Sequence, residues 1–133
     1  MGQQQLLLIV LGVIVVGIAV VVGINLFNAN AVSSNRDGVV SDLNNLGAMA
    51  QQHYKKPGSM GGGSNTFNTG GPIGNGWEIP SQLDTTANGN YSAALTAQSV
   101  TITGTGTEKN DAGQNIQHQA VVSPTSITVT QVR

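Results

Sequence analysis

The acid–base inventory of the chain is short: His53, His118 and six carboxylates, Asp37, Asp42, Glu78, Asp84, Glu108 and Asp111. General acid–base or nucleophilic catalysis needs such groups converging in one cleft, and metal chemistry needs them at ligand spacing. Here they are scattered, and no spacing matches a triad or a metal motif. His53 reads as a surface or helix–sheet histidine. His118 lies between Gln117 and Gln119 in a strand pattern and is expected to face solvent. Asp84, Glu108 and Asp111 fall in or near loops; a weak Ca²⁺ site is the most they suggest, and solvated loop charges are the simpler reading. The chain has no cysteine, which excludes disulfides and thiolate metal sites. The stretch PGSMGGGSNTFNTGGPIGNG at 57–76 is rich in glycine, but it neither follows a strand nor leads through a lysine into a helix, so it is a loop rather than a phosphate cradle. No enzymatic activity, cofactor or metal is expected. Asn90-Tyr91-Ser92 matches the N-glycan acceptor pattern, which often occurs by chance, and by itself reads as unmodified.

The 133 residues, 13.6 kDa, are enough for one domain plus one appended segment. Only 8% are charged, five Lys/Arg against six Asp/Glu for a net charge of −1. No basic surface is available for nucleic acid. The five aromatics are Phe27, Tyr54, Phe67, Trp77 and Tyr91; none falls within 6–26, so no stacked array for electron conduction runs through that segment.

Residues 6–24, LLLIVLGVIVVGIAVVVGI, carry no polar side chain, and the first charge is Arg36. A helix of that length covers roughly 28 Å, close to the hydrocarbon thickness of a bilayer. A buried core helix would show a polar stripe; this one is apolar on every side, so its surroundings are lipid, copies of itself, or each in turn. A secretory signal would carry Lys or Arg ahead of the run and a sharp cleavage site after it, where this chain has MGQQQ and NLFNANAV. A bare anchor would be flanked by Lys/Arg and Trp/Tyr belts, which are also missing. Gly12, Gly17 and Gly23 lower helix propensity by about 1 kcal/mol each but let neighbouring helices approach closely. A lone anchor has no need of that, whereas a helix packed among helices does.

The helical pattern continues. Val32, Val39, Val40, Leu43, Leu46, Ala50 and Tyr54 recur at gaps that mark one face, with Asp37, Asp42 and Lys55 opposite. Lys55 and Lys56 suit a helix C-terminus, and Pro57-Gly58 ends it. One nearly continuous helix over about 1–55 follows, with Asn28–Asn35 and Gly38 as soft points. From Trp77 the pattern turns β-like, with Asn88-Gly89 as a turn signal. The segments QSVTITGT, IQHQAVVS and TSITVTQV alternate as strands, and GTGTEKNDAGQN reads as a long hairpin tip. The expected fold is α+β. Three or four antiparallel strands from about residue 91 present Val100, Ile102, Val121, Ile127 and Val129 to the helical stripe Val32, Val39, Leu43, Leu46, Ala50 and Tyr54, with a mostly Thr face outward. The division is therefore an apolar rod at 1–27 and a head at 28–133, built from the amphipathic helix 28–56, the loop 57–76 and the β region 77–133. So thin a core implies that assembly contributes to stability.

A long helix with an apolar projecting half, a glycine-rich connection and a small antiparallel sheet resembles the ladle plan of type IV pilins. QQQLLLIVLGVIVV at the start and DLNNLGAMAQQHYKKP at 42–57 carry the resemblance along the helix; over 58–133 it is architectural. It implies a subunit that sits in the inner membrane, is processed by a prepilin peptidase and often methylated at its mature first residue, here Met1. Assembly machinery would then add it to a homopolymeric extracellular filament serving adhesion, motility or surface coating. The assembly residues would be Met1, Gln5, Leu8, Leu11, Gly12, Val16, Gly17, Val20, Gly23 and Phe27. Three features depart from the family. Gln5 stands where bacterial pilins usually carry a glutamate that meets a neighbour's amino terminus, and a start at Gln3 would put Leu7 there. Val22-Gly23 stand where a proline is frequent, and no disulfide-closed loop is possible. The alternatives are a pseudopilin of a type II secretion system and a monomeric membrane-anchored binding domain.

Overall fold

The computed structural model describes residues 2–68 and 76–133. Met1, of the expected assembly segment, and 69–75, of the glycine-rich stretch, lie outside the described residues. The fold is α+β. Helix α1, Gly2–Lys55, is unbroken for 54 residues, including the expected soft points, and is therefore about 81 Å long. A short 3₁₀ turn, Gly58–Met60, follows. Five strands come next, β1 Thr85–Thr86, β2 Gly89–Leu95, β3 Val100–Lys109, β4 Asn115–Val122 and β5 Ile127–Gln131. They form an antiparallel meander in chain order, one strand more than the sequence indicates because two residues suffice for β1.

The end of α1 shows what the glycine-rich loop does. Gly63 N–H donates to His53 O, Asn65 N–H to Tyr54 O, and Ser64 N–H to Lys56 O, at 2.9–3.1 Å. The chain thus folds back and satisfies carbonyls that a helix terminus leaves orphaned. A Cβ at the buried Gly62 would run into the Lys56 backbone, so a side chain there would push the loop off the helix.

The core lies between the carboxyl-terminal half of α1 and the sheet. Val39, Leu43, Leu46 and Ala50 pack on Tyr91, Val100, Ile102, Ala120 and Val122. Phe67 and Trp77, not anticipated as core, close one end. Phe67 N–H donates to Ala97 O, Trp77 N–H donates to Phe67 O, and the Phe67 ring lies 4.8 Å from that of Tyr54. Tyr54, Ile127 and Val129 are half-buried at the core margin.

Two expectations are corrected. Val121 is 43% exposed and faces outward, while Ile116, Ala120 and Val122 face the helix. Choosing the wrong member of the Val121-Val122 pair reverses the whole strand, because side chains alternate with period two. The same slip assigned His118 to solvent; it is 6% exposed, on the core face. Second, Gly104 and Gly106 belong to β3, not to a hairpin tip. They sit on the core face where α1 crosses closely. A Cβ on Gly104 would lie 2.8 Å from the Tyr91 ring and 3.0 Å from Val39, and one on Gly106 would meet Asn35 and Ile116. A glycine inside a strand here marks a close approach rather than a turn.

Gly104→Val is expected to cost at least about 2 kcal/mol through overpacking against Tyr91 and Val39. That corresponds to a fall in Tm of about 10 °C for a head of this size. Thr103→Val, on the opposite face, should move Tm by no more than a few degrees. Thermal melts of the full chain in detergent, followed by circular dichroism, check both.

Candidate assembly helix and its joint with the sheet

No residue in the amino-terminal half of α1 is buried. Every Leu, Ile, Val and Phe side chain from Leu6 to Phe27, seventeen in all, is between 52% and 77% exposed. Exposure of about 1 kcal/mol per side chain amounts to roughly 20 kcal/mol. Transfer of the rod from water to an apolar surrounding is favoured by about that amount. Among the described residues α1 is the one helix long and apolar enough to cross a membrane.

Because the helix is unbroken, its faces follow from spacing. Gln5, Leu8, Gly12, Val16 and Gly23 fall along one face, with Val20 and Phe27 at its margin; Leu11 and Gly17 fall on other faces. A Cβ at Gly12, Gly17 or Gly23 would meet nothing within 4 Å. Nothing among the described residues requires glycine there, and a lone helix would be strengthened by alanine.

Below the rod, α1 enters the head through polar contacts that the stripe of apolar residues does not reveal. Asn35 occupies the apolar face between Val32 and Val39. Its Nδ2 donates to Asn88 O at 2.7 Å, and its Oδ1 accepts from the Thr107 and Glu108 N–H groups at 3.0 and 3.2 Å. Asp42, placed by pattern on the opposite polar face, instead gathers the β1–β2 hairpin. Its Oδ2 accepts from Tyr91 Oη at 2.6 Å and from Thr86 Oγ1 and Asn88 Nδ2 at 3.0 Å. Burial pushes the Asp42 carboxyl up, but the hydrogen bonds from Tyr91, Asn88 and Thr86 outweigh it and leave its pKa below the ordinary 3.8. Burial, then Asp42 itself, push the Tyr91 phenol up, so it stays a donor.

The third contact is the seam between Arg36 and β4–β5. Arg36 Nη1 donates to Arg133 O at 3.1 Å and lies 3.3 Å from His118 Nε2. Since arginine only donates, Nε2 is the bare nitrogen of a neutral imidazole, whose other side meets the Thr130 backbone. Burial first, then the Arg36 charge, hold the His118 pKa below 6.5. No buried side-chain nitrogen or oxygen among the described residues lacks a partner.

Val32, expected in the helix–sheet core, is half-buried on the wall of a cleft of about 880 Å³ between the neck of α1 and the β3–β4 hairpin. Asn28, Ser33 and Arg36 line one side, Glu108 and Asp111 the other. Among the described residues no three His, Cys, Asp or Glu side chains are grouped so as to hold a metal ion. No protein-family model matches the chain, and no curated protein or solved structure matches it.

The lowered pKa values give a definite acid response. The unfolded chain takes up the His118 proton more readily than the folded one, so this part of the stability is complete above pH 6.5 and is lost as pH falls through the folded pKa. Asp42 behaves likewise below its ordinary 3.8. Tm measured against pH should fall in two stages, the first beginning near 6.5. His118→Gln should remove the first stage and leave the second.

Proposed function

We propose that the chain is the structural subunit of a helical filament of the type IV pilus kind. One observation carries the reading: a rod of apolar residues, exposed on all sides and seeded with glycines that no contact among the described residues explains, continues without a break into the helix that anchors the head. Such a rod sits first in the inner membrane as a single-pass precursor and then among identical rods. A subunit surface that packs against a different surface of the next copy does not close on itself and so builds a fibre. The head forms the outer wall, outside the cell. A prepilin peptidase and an assembly machinery are the partners this route requires, and the roles are adhesion, motility or surface coating. Gln5 supplies a neutral hydrogen-bonding group near the helix start, with a lower desolvation cost than a carboxylate.

The neck cleft favours a second reading, a monomeric anchored domain that binds a ligand between α1 and the β3–β4 hairpin. A pseudopilin building a short secretion piston shares the first architecture.

Material sheared from cells making the chain, viewed by electron microscopy, should contain thin uniform filaments of it; retention of all the chain in the membrane fraction would favour the anchored domain. Gly12→Leu should cut filament yield at least tenfold while membrane insertion is unchanged, because the bulk blocks helix approach. An anchor would tolerate it. Gln5→Leu should likewise lower filament yield with insertion intact, and normal yield would remove any polar role for Gln5.

A further inference from the structure

Strand alternation gives Asn90-Tyr91-Ser92 a meaning that its sequence pattern lacks. β2 turns Tyr91 into the core, 6% exposed, where Asp42 holds its hydroxyl. Asn90 and Ser92 are thereby set together on the opposite face, both exposed. N-glycan acceptors pair an asparagine amide with a hydroxyl two residues on, and here both are reachable from one side.

The Asn90 amide is also chemically idle. Asn35, Asn88 and Asn110 use their side chains to fix the neck, the β1–β2 hairpin and the β3–β4 tip. Asn90 is held through its backbone alone, opposite Thr85 of β1 and Thr105 of β3, and among the described residues its amide has no side-chain partner. Among the described residues, only the two-residue β1 pairs with the sheet beyond it. Its neighbours on the face, Ser92, Thr103 and Thr105, bring hydroxyls and no charge. With 8% charged residues and a net charge of −1, the chain has little charge to keep crowded heads hydrated and apart. A bulky polar substituent on this face would serve that need.

We infer that Asn90 is the acceptor of an N-linked glycan, delivered by a lipid-linked glycosyl phosphate. In the transfer the anomeric carbon–oxygen bond to phosphate breaks and an anomeric carbon–Nδ2 bond forms. The amide proton leaves with the phosphate, and no electrons are exchanged. This rests on the reading that the head is exported, so the test separates the two claims.

Protease accessibility on intact cells that naturally make the chain locates the head. Peptide mass spectrometry of the full chain from the same cells then reads the tryptic peptide ending at Lys109, which contains Asn90. The expected result is an exported head with whole sugar residues added at Asn90, lost completely in Asn90→Gln and in Ser92→Ala and retained in Ser92→Thr. An exported head with a bare Asn90 peptide overturns the glycan and leaves the filament reading standing. Sugar that persists in Ser92→Ala is linked elsewhere and also overturns it. A head on the cytoplasmic side overturns both.

Discussion

The structure depends on one helix having to satisfy two solvents. From Val39 onward α1 is amphipathic and buries its stripe under a sheet. Over 6–24 it is apolar all round, and no residue there is buried. No break or loop separates the halves. The exposed half cannot be relieved by folding back, since the sheet already has its cover and the helix is too stiff to double over. The burial that is missing must come from outside the chain. On the filament reading proposed above, lipid would supply it for a single subunit and other copies for an assembled one.

The polar joint follows from that constraint. An apolar stripe of valines and leucines, lying on a sheet whose facing residues are valine, isoleucine, alanine and glycine, would tolerate small slides. Asn35, Asp42 and Arg36 remove that freedom, because each bonds groups at fixed places in the sheet: the strand β3 backbone, the β1–β2 hairpin, and His118 with the Arg133 carbonyl. Asn35 and His118 are buried, so removing their partners would strand a buried polar group, which costs more than the bond itself contributes. The head is thereby held at one height along the rod. A fixed height is what the proposed repeating assembly would require, since every subunit in it would have to present the same surface at the same distance along its helix.

The helix was legible in the sequence to within a residue or two, because apolar run, stripe, C-terminal lysines and Pro57 all point the same way. The sheet was legible as a kind but not in detail. A two-valine doublet leaves the facing of β4 undetermined by one residue, and the Val121 and His118 errors are that single ambiguity counted twice. The glycines of β3 looked like turn residues because the local sequence does not reveal that a helix crosses them. Asn35 did leave a signal, an amide at a stripe position between Val32 and Val39. Asp42 left a similar one, three residues past Val39 and four short of Leu46. Both are legible once a polar residue on an apolar face is taken as a bond to be found. Phe67 and Trp77 gave none, since they stand in a stretch with no period.

The composition of the rod bears on how it could change surroundings. In lipid there is no hydrophobic force between apolar helices, since hydrocarbon tails are as good a solvent as leucine; association rests on close packing. β-Branched residues, eleven of the nineteen at 6–24, have few rotamers to lose when packed. Gly12 and Gly23, aligned with Gln5 and Val16, provide a strip where backbones can come together. A rod of this kind is inexpensive to hold in a bilayer, because it carries no charge before Arg36. It is also inexpensive to extract into a bundle of its own kind, because no ion pair must be broken or made on the way. A carboxylate near Gln5 would change that balance, adding a desolvation cost in both states and a strong pairing in only one. The neutral amide gives up that pairing, and packing along the glycine strip would then have to supply more of the association.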